Sequence, residues 1–341
     1  MSEHPTALVA HGGNLHEAAQ RYGIAWDAWI DLSTGINPHG YPVPPVPSAA
    51  WRRLPDDGDG FAACAARYYG APDARHVLPV AGSQAAIRAL PALLPGARVA
   101  LAPLTYGEYA PAFARAGHEV APLDVTQDTL PDTVTHAVVV NPNNPTATHI
   151  AADRLLHWHA QLAARGGTLI VDEAFADAFG RERSETLAHA TSRAGLVVLR
   201  SPGKFFGLAG ARCGFALGAP ALLAALHASL GAWTVSGPAR HAVTHAFEDS
   251  AWQNEMRMRL AAESARLVTL LRAHGLTPHA TPLFAWITDP RAPALQDALA
   301  RHAVWTRRFD APASLRFGLP ASEGEWQRFE SALGQAMRAI G

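Results

Sequence analysis

The chain has 341 residues, with 28 Lys and Arg against 29 Asp and Glu, a formal net charge of -1 and a pI near 7.0. That balance leaves no basic excess to neutralise phosphates, which excludes a general nucleic-acid or anionic-membrane binder. Two cysteines, Cys64 and Cys213, cannot build a disulfide framework, no basic and apolar leader opens the sequence, and no apolar span is long enough to cross a bilayer, so a soluble, cytoplasmic protein is expected.

Residues 1 to about 50 are rich in His, Gly and Pro, with one helical pattern at Leu15 to Tyr22. Pro42, Pro44, Pro45 and Pro47 forbid helix there and favour an extended arm lying across another surface of the same chain or of a partner subunit. From about residue 60 the pattern alternates. Helices are expected at Gly60 to Tyr69, Gln84 to Leu94 and Ala151 to Arg165. Strands are expected at Val77 to Val80, Arg98 to Ala102, Glu119 to Leu123, His136 to Val140, Thr168 to Val171, Leu196 to Leu199 and Cys213 to Leu217. Several of these are unbroken Val, Leu and Ile runs, as strands buried on both faces require. The spacing then predicts one long helix from about Ala239 to His274, strands near Leu283 to Ile287 and Leu315 to Gly318, and helices near Ala292 to His302 and Glu323 to Ile340. The fold class is α/β: an arm (residues 1–50), a large domain with a mostly parallel sheet flanked by helices (51–238) and a smaller C-terminal α/β domain (239–341).

Chemistry concentrates at the strand ends. Leu196-Val-Val-Leu199 runs into Arg200-Ser-Pro-Gly-Lys204, with Arg212 eight residues further on. A lysine just past a buried strand sits where open α/β sheets place ligands. Its amine can form a Schiff base with a carbonyl cofactor while Ser201 and Arg212 hold a phosphate, a combination that points to pyridoxal phosphate. Taken alone, the plain alternative is a solvated lysine in a glycine-rich loop. Val138-Val-Val-Asn-Pro-Asn-Asn-Pro-Thr146 aims amides off a second strand, and Leu169-Ile-Val-Asp-Glu-Ala-Phe175 ends a third in two carboxylates. A carboxylate there can keep a ring nitrogen protonated, or simply cap a helix. Ala81-Gly-Ser-Gln84 opens a helix whose free amides suit an anion, and Tyr106 in Pro103-Leu-Thr-Tyr-Gly-Glu-Tyr109 offers a ring for stacking or for packing.

The motifs Asn-Pro-Asn-Asn-Pro-Thr, Asp-Glu-Ala-Phe and Ser-Pro-Gly-Lys-Phe-Phe-Gly-Leu-Ala-Gly-Ala-Arg resemble, in this order and spacing, the fold-type I pyridoxal-phosphate enzymes of the class I/II aminotransferase superfamily. Within it, His11-Gly-Gly, Asp31-Leu-Ser-Thr-Gly-Ile-Asn-Pro-His-Gly40, Asp172-Glu-Ala-Phe-Ala-Asp177, Ala232-Trp-Thr-Val-Ser236 and Leu315-Arg-Phe-Gly-Leu-Pro320 resemble the threonine-phosphate decarboxylases of cobalamin biosynthesis. The resemblance implies that Lys204 is the attachment point of the cofactor and that Asp172 pairs with its ring nitrogen. It implies that Asn144 donates to the ring's phenolic oxygen, that Tyr106 stacks on the ring, and that Gly82, Ser83, Ser201 and Arg212, with Gln84 beside them, serve the phosphate. Arg316 would clamp a substrate carboxylate with help from Asn37, and His11 would lie near a substrate phosphate. It further implies a homodimer acting on a phosphorylated amino acid, with no metal. Two departures stand out. Phe175 occupies a position where many aminotransferases have tyrosine, and Ala147 follows Thr146 where glycine is usual, so the backbone there either avoids the left-handed region or bears strain.

Two rivals fit parts of the pattern. A histidinol-phosphate aminotransferase would share the turn, the lysine segment and a phosphorylated substrate. A ligand sensor fused to a DNA-binding module would need a segment for which the ten or so residues before the first motif leave no room.

Overall fold

The computed structural model describes residues 11–180 and 185–341. Contacts divide the described residues into two compact units, one comprising residues 36–180, 185–266 and 279–283, the other residues 11–35, 267–278 and 284–341.

In the larger unit the seven strands run in the spatial order Val77–Val80, Gly214–Gly218, Leu196–Arg200, Thr168–Asp172, His136–Val140, Arg98–Leu101, Glu119–Pro122. All neighbours are parallel except that Gly214–Gly218 runs against both of its own. Every residue of the four strands His136–Val140, Thr168–Asp172, Leu196–Arg200 and Gly214–Gly218 is buried, which is why their sequences lack an alternating polar face. Helices Ser83–Leu93, Tyr109–Arg115 and Pro220–Leu230 pack on this sheet through Ile87, Leu90, Phe113 and Leu226.

The topology decides where function can sit. Three parallel strands deliver Asn141, Glu173 and Ser201 to one edge of the sheet, and Val77–Val80 delivers Ala81 there as well. Because Gly214–Gly218 is reversed, its amino end, preceded by Arg212 and Cys213, reaches that same edge. Segments far apart in sequence thus converge where open sheets bind ligands.

The smaller unit pairs Ile30–Leu32 in parallel with Val304–Asp310, which forms an antiparallel hairpin with Ala313–Phe317; that strand pairs in turn with Phe284–Thr288. Helices Leu15–Tyr22, Ala292–Arg301 and Glu323–Ile340 accompany them.

Two expectations need correction. The long helix expected from Ala239 to His274 is two helices, Gly237–Glu248 and Ser250–Ala273. Asp249 leaves helical geometry at φ -88, ψ 77, and its Oδ1 accepts the Trp252 amide at 3.0 Å, so its side chain starts the second helix as it ends the first. At the second departure the backbone does not avoid the left-handed region: Ala147 adopts φ 61.

Candidate active site

Lys204 lies in the short helix Pro202–Phe205, begun at Ser201 immediately after the strand Leu196–Arg200. The cavity it lines is also walled by Gly82, Ser83, Gln84, Tyr106, Asn144, Asp172, Phe175, Ser201, Arg212 and Cys213. Nine residues singled out in the sequence therefore meet in one place: Gly82, Ser83, Gln84, Tyr106, Asn144, Asp172, Ser201, Lys204 and Arg212.

One end of the cavity is built for an anion. Gly82 has φ +74, and a Cβ added there would stand 2.9 Å from Arg212 Nη2. A Cβ on Gly214 would fall 2.4 Å from the Ser83 amide nitrogen. Bare backbone at both positions lets the amino terminus of helix Ser83–Leu93 and the Arg212 guanidinium approach the same point. The Ser201 hydroxyl donates to Ser83 Oγ at 2.9 Å, bringing two hydroxyls to that point as well. Two donors with a helix terminus and a guanidinium are the chemistry a phosphate monoester needs.

At the other end Asp172 is 3% exposed. Its Oδ2 accepts the Tyr109 hydroxyl at 2.7 Å and its Oδ1 accepts the Ala174 amide at 3.0 Å. Burial pushes its carboxyl up, opposed by the Tyr109 hydrogen bond, the Ala174 amide and the Lys204 charge. A buried carboxylate on the cavity wall fits a protonated heterocycle nitrogen, whose charge would offset that burial.

The wall between these ends holds the Tyr106 ring. Its hydroxyl donates to Gln84 Oε1 at 3.1 Å, and Gln84 Nε2 donates to Glu108 Oε2 at 2.5 Å. Burial pushes the Tyr106 phenol up to about 12, so it stays a neutral donor across the physiological range. Lys204 Nζ stands 5.7 Å from the Phe175 ring centroid. Cys213 lines the cavity too, with its thiol pushed up to about 12 by burial, which leaves it un-ionised and inert as a nucleophile.

Of the asparagines in the turn, only Asn144 lines the cavity. Asn141 exchanges two hydrogen bonds of 2.9 Å with the Ile150 backbone, and Asn143 donates to Leu104 O at 2.9 Å and Thr146 Oγ1 at 2.7 Å. Asn37 is tied to the lysine segment: its backbone amide donates to Lys204 O at 2.9 Å and its Nδ2 to Phe205 O at 2.8 Å, while its Oδ1 accepts the His39 amide at 2.8 Å. Arg316, His11 and Ser33 belong to the smaller unit. There Arg316 is buried and donates from Nη2 to Ser33 O at 2.5 Å, while His11 is exposed. Burial and neighbouring Arg307 lower Arg316 to about 10.

Three residues escape a reading of the sequence. Tyr109 and Glu108 lie in the loop-to-helix segment that supplies Tyr106, and their i,i+3 and i,i+2 spacing from Tyr106 is the only signal of their involvement. Arg307 stands directly across the hairpin from Arg316.

The sequence pattern of the family described as aminotransferase class I and II matches residues 57–330. Threonine-phosphate decarboxylase of Pseudomonas aeruginosa is 50% identical over 328 residues, covering 96% of this chain and 97% of the relative. The protein of the same name from a Sinorhizobium species is 40% identical over 338 residues, covering 96% and 98%. Among solved structures, histidinol-phosphate aminotransferase of Sinorhizobium meliloti, in complex with pyridoxal 5'-phosphate, superposes with a TM-score of 0.83 at 19% identity, covering 100% of this chain and 99% of that one. This last likeness concerns the fold.

Proposed function

The chain belongs to the aminotransferase class I and II family, and from that premise we propose that it is a pyridoxal-phosphate enzyme that removes the carboxylate of L-threonine O-3-phosphate as carbon dioxide. The product is (R)-1-amino-2-propanol O-2-phosphate, the linker of the cobalamin nucleotide loop. The observation that carries this reading is the cavity of Lys204, Asp172 and the Gly82–Ser83–Ser201–Arg212 cradle in a chain half identical, over 96% of its length, to a threonine-phosphate decarboxylase.

When bound, pyridoxal phosphate supplies an electron sink for the pair left behind as the carboxylate departs. The chain's own residues do the rest. Gly82, Ser83, Ser201 and Arg212 would hold the phosphate, and Gln84, which accepts the Tyr106 hydroxyl, would orient Tyr106 toward the ring. Asp172 would hold the proton on the ring nitrogen, and Asn144 would donate to the phenolic oxygen. Lys204 would hold the cofactor's aldehyde carbon, and its Nζ would hold the proton required by the carbon that loses carbon dioxide. Phe175 brings no hydroxyl to the phenolic oxygen, so Asn144 carries that contact. Arg316, with Arg307 across the hairpin, supplies cationic groups for the substrate's carboxylate and phosphate; Asn37 and His11 are assigned to the same substrate.

We propose a homodimer as the working form, in the cytoplasm. Trp51, Leu54 and Trp233 are 69, 67 and 57% exposed. The segments bearing them are neighbours, since a Cβ on Gly237 would fall 2.3 Å from Ala50 O. Exposed large apolar side chains on neighbouring segments are what a subunit contact covers.

The test is carbon dioxide release from L-threonine O-3-phosphate by the pyridoxal-phosphate-loaded protein, with histidinol phosphate as control. Release from the first, with the cofactor kept in its aldehyde form, is expected. Conversion of the cofactor to its amine form by histidinol phosphate, without carbon dioxide from threonine phosphate, would establish the aminotransferase instead.

A further inference from the structure

Behind the cavity, on the other side of the same two strand ends, lies a buried ionic cluster with no part in the roles above. The strands Thr168–Asp172 and Leu196–Arg200 are parallel neighbours, with Asp172 opposite Leu199 and the Glu173 amide bonded to Leu199 O at 2.9 Å. Asp172 and Ser201 line the cavity, whereas Glu173 and Arg200, each one residue away, do not. Alternation along extended chain explains the split: consecutive side chains leave on opposite faces.

Arg200 is the hub. Its Nη1 donates to Glu173 Oε2 at 2.5 Å, its Nη2 donates to Asp177, and its guanidinium lies 4.4 Å from the centroid of the Tyr69 ring. Glu173 is held further by the Thr186 hydroxyl at 2.5 Å and the Leu187 amide at 2.8 Å. Arg200, Glu173 and Asp177 are 4, 2 and 5% exposed. Burial lowers the arginine's proton affinity, but Asp177 and Glu173 outweigh it and hold the group charged.

Stability is a poor reason for such a cluster. Withdrawing three charges from water costs as much as their attraction returns, and well-packed apolar side chains often serve as well or better. The cluster is also incompletely satisfied, because Arg200 Nε and Tyr69 Oη are buried with no hydrogen-bond partner among the described residues. What it does provide is direction. A bidentate guanidinium fixes two carboxylates in one plane, and those carboxylates sit on the backbone next to Asp172 and on the turn that follows it.

We propose that Arg200 is a positioning residue for the cofactor site: by tying Glu173 and Asp177 together behind the sheet, it fixes the backbone from which Asp172 projects at the end of one strand and the segment after the next strand that carries Ser201 and Lys204. This rests on the cofactor reading above. A guanidinium can reach both carboxylates, whereas an ammonium on a thinner stem reaches one, so Arg200→Lys keeps the charge and loses the brace.

The experiment titrates pyridoxal phosphate into cofactor-free wild type, Arg200→Lys and Glu173→Gln, reading the visible band and its pH midpoint. A wild type that develops no band would defeat the cofactor reading itself, whatever the variants do. With the wild-type band present, Arg200→Lys is expected to retain its far-ultraviolet dichroism, bind about tenfold more weakly and shift the midpoint by at least about half a pH unit. Glu173→Gln, which keeps the shape and removes one charge, is expected to move both readouts in the same direction by less. It decides the matter alone should Arg200→Lys not fold. Variants that melt lower but bind with wild-type affinity and an unmoved midpoint would reduce the cluster to a structural role and overturn the proposal.

Discussion

Asp172 already accepts a hydrogen bond on each of its oxygens, from Tyr109 and from the Ala174 amide, and these keep a buried carboxylate ready to meet a cation. Its carboxyl is pushed up by burial. A carboxyl with a higher pKa in the fold than in the unfolded chain favours the fold while protonated. That advantage is complete below the unfolded value, near about 4, and is lost as pH rises through the folded one. Above the folded value the cofactor-free protein carries an unfavourable buried charge. Asp172→Asn is therefore expected to melt no lower than wild type at pH 8 when both lack cofactor, with any gain shrinking as the pH falls towards 4, and to lose most of its affinity for pyridoxal phosphate. A lower melting temperature at pH 8 would contradict this. Tyr109→Phe removes a bond to a charged acceptor and is expected to cost about 1.5 to 3 kcal/mol, measured by urea unfolding of the cofactor-free protein at pH 8.

At the scale of elements, the turn after His136–Val140 shows how motif and geometry divide the work. Asn141 spends its amide on the loop itself and Asn143 on that loop and on Leu104 O in a neighbouring one, whereas Asn144 lines the cavity. Holding that turn puts Ala147 at φ 61, a left-handed conformation that favours glycine. Ala147→Gly is expected to stabilise the protein by about 0.5 to 1 kcal/mol, the relief of strain exceeding the extra entropy of the unfolded chain. Gly82→Ala should do the reverse. Its φ of +74 strains any L side chain, and a methyl there would displace the Arg212 guanidinium from its place, so affinity for pyridoxal phosphate is expected to fall at least about tenfold in an equilibrium titration.

The sheet was legible from these elements because its central strands are unbroken apolar runs, and the cavity because each carrier of chemistry stands just past one of them. The strand Val304–Asp310 was not, since Arg307, Arg308 and Asp310 interrupt its pattern and its pairing partner explains it better than its own residues do. Nor was the break at Asp249, where one aspartate on a continuous helical pattern acts as a cap only because Trp252 presents its amide. Tyr109 and Arg200 were hidden for a related reason: their roles depend on which face of an element they occupy, and that is settled by packing.

Across the whole molecule, the residues assigned to cofactor and to substrate are distributed unequally. All nine assigned to the cofactor come from the larger unit, as does Asn37, whereas His11, Arg307 and Arg316 belong to the smaller one. Cofactor affinity and substrate affinity are accordingly separable by mutation. The subunit proposal is testable at this scale as well: Trp51→Asp combined with Leu54→Asp is expected to convert a dimer into a monomer by sedimentation velocity. Wild-type protein that sediments as a monomer at micromolar concentration would dismiss it.

Residues 37–41 run directly over the lysine segment. Asn37 and Tyr41 donate their amides to Lys204 O and Phe206 O at 2.9 and 2.8 Å, and a Cβ on Gly207 would fall 2.7 Å from Gly40 Cα. Those two amide protons exchange with solvent only when the arm lifts away from Lys204. Their deuterium uptake is thus a clock for exposure of the Lys204 backbone, readable without substrate, without colour and without turnover.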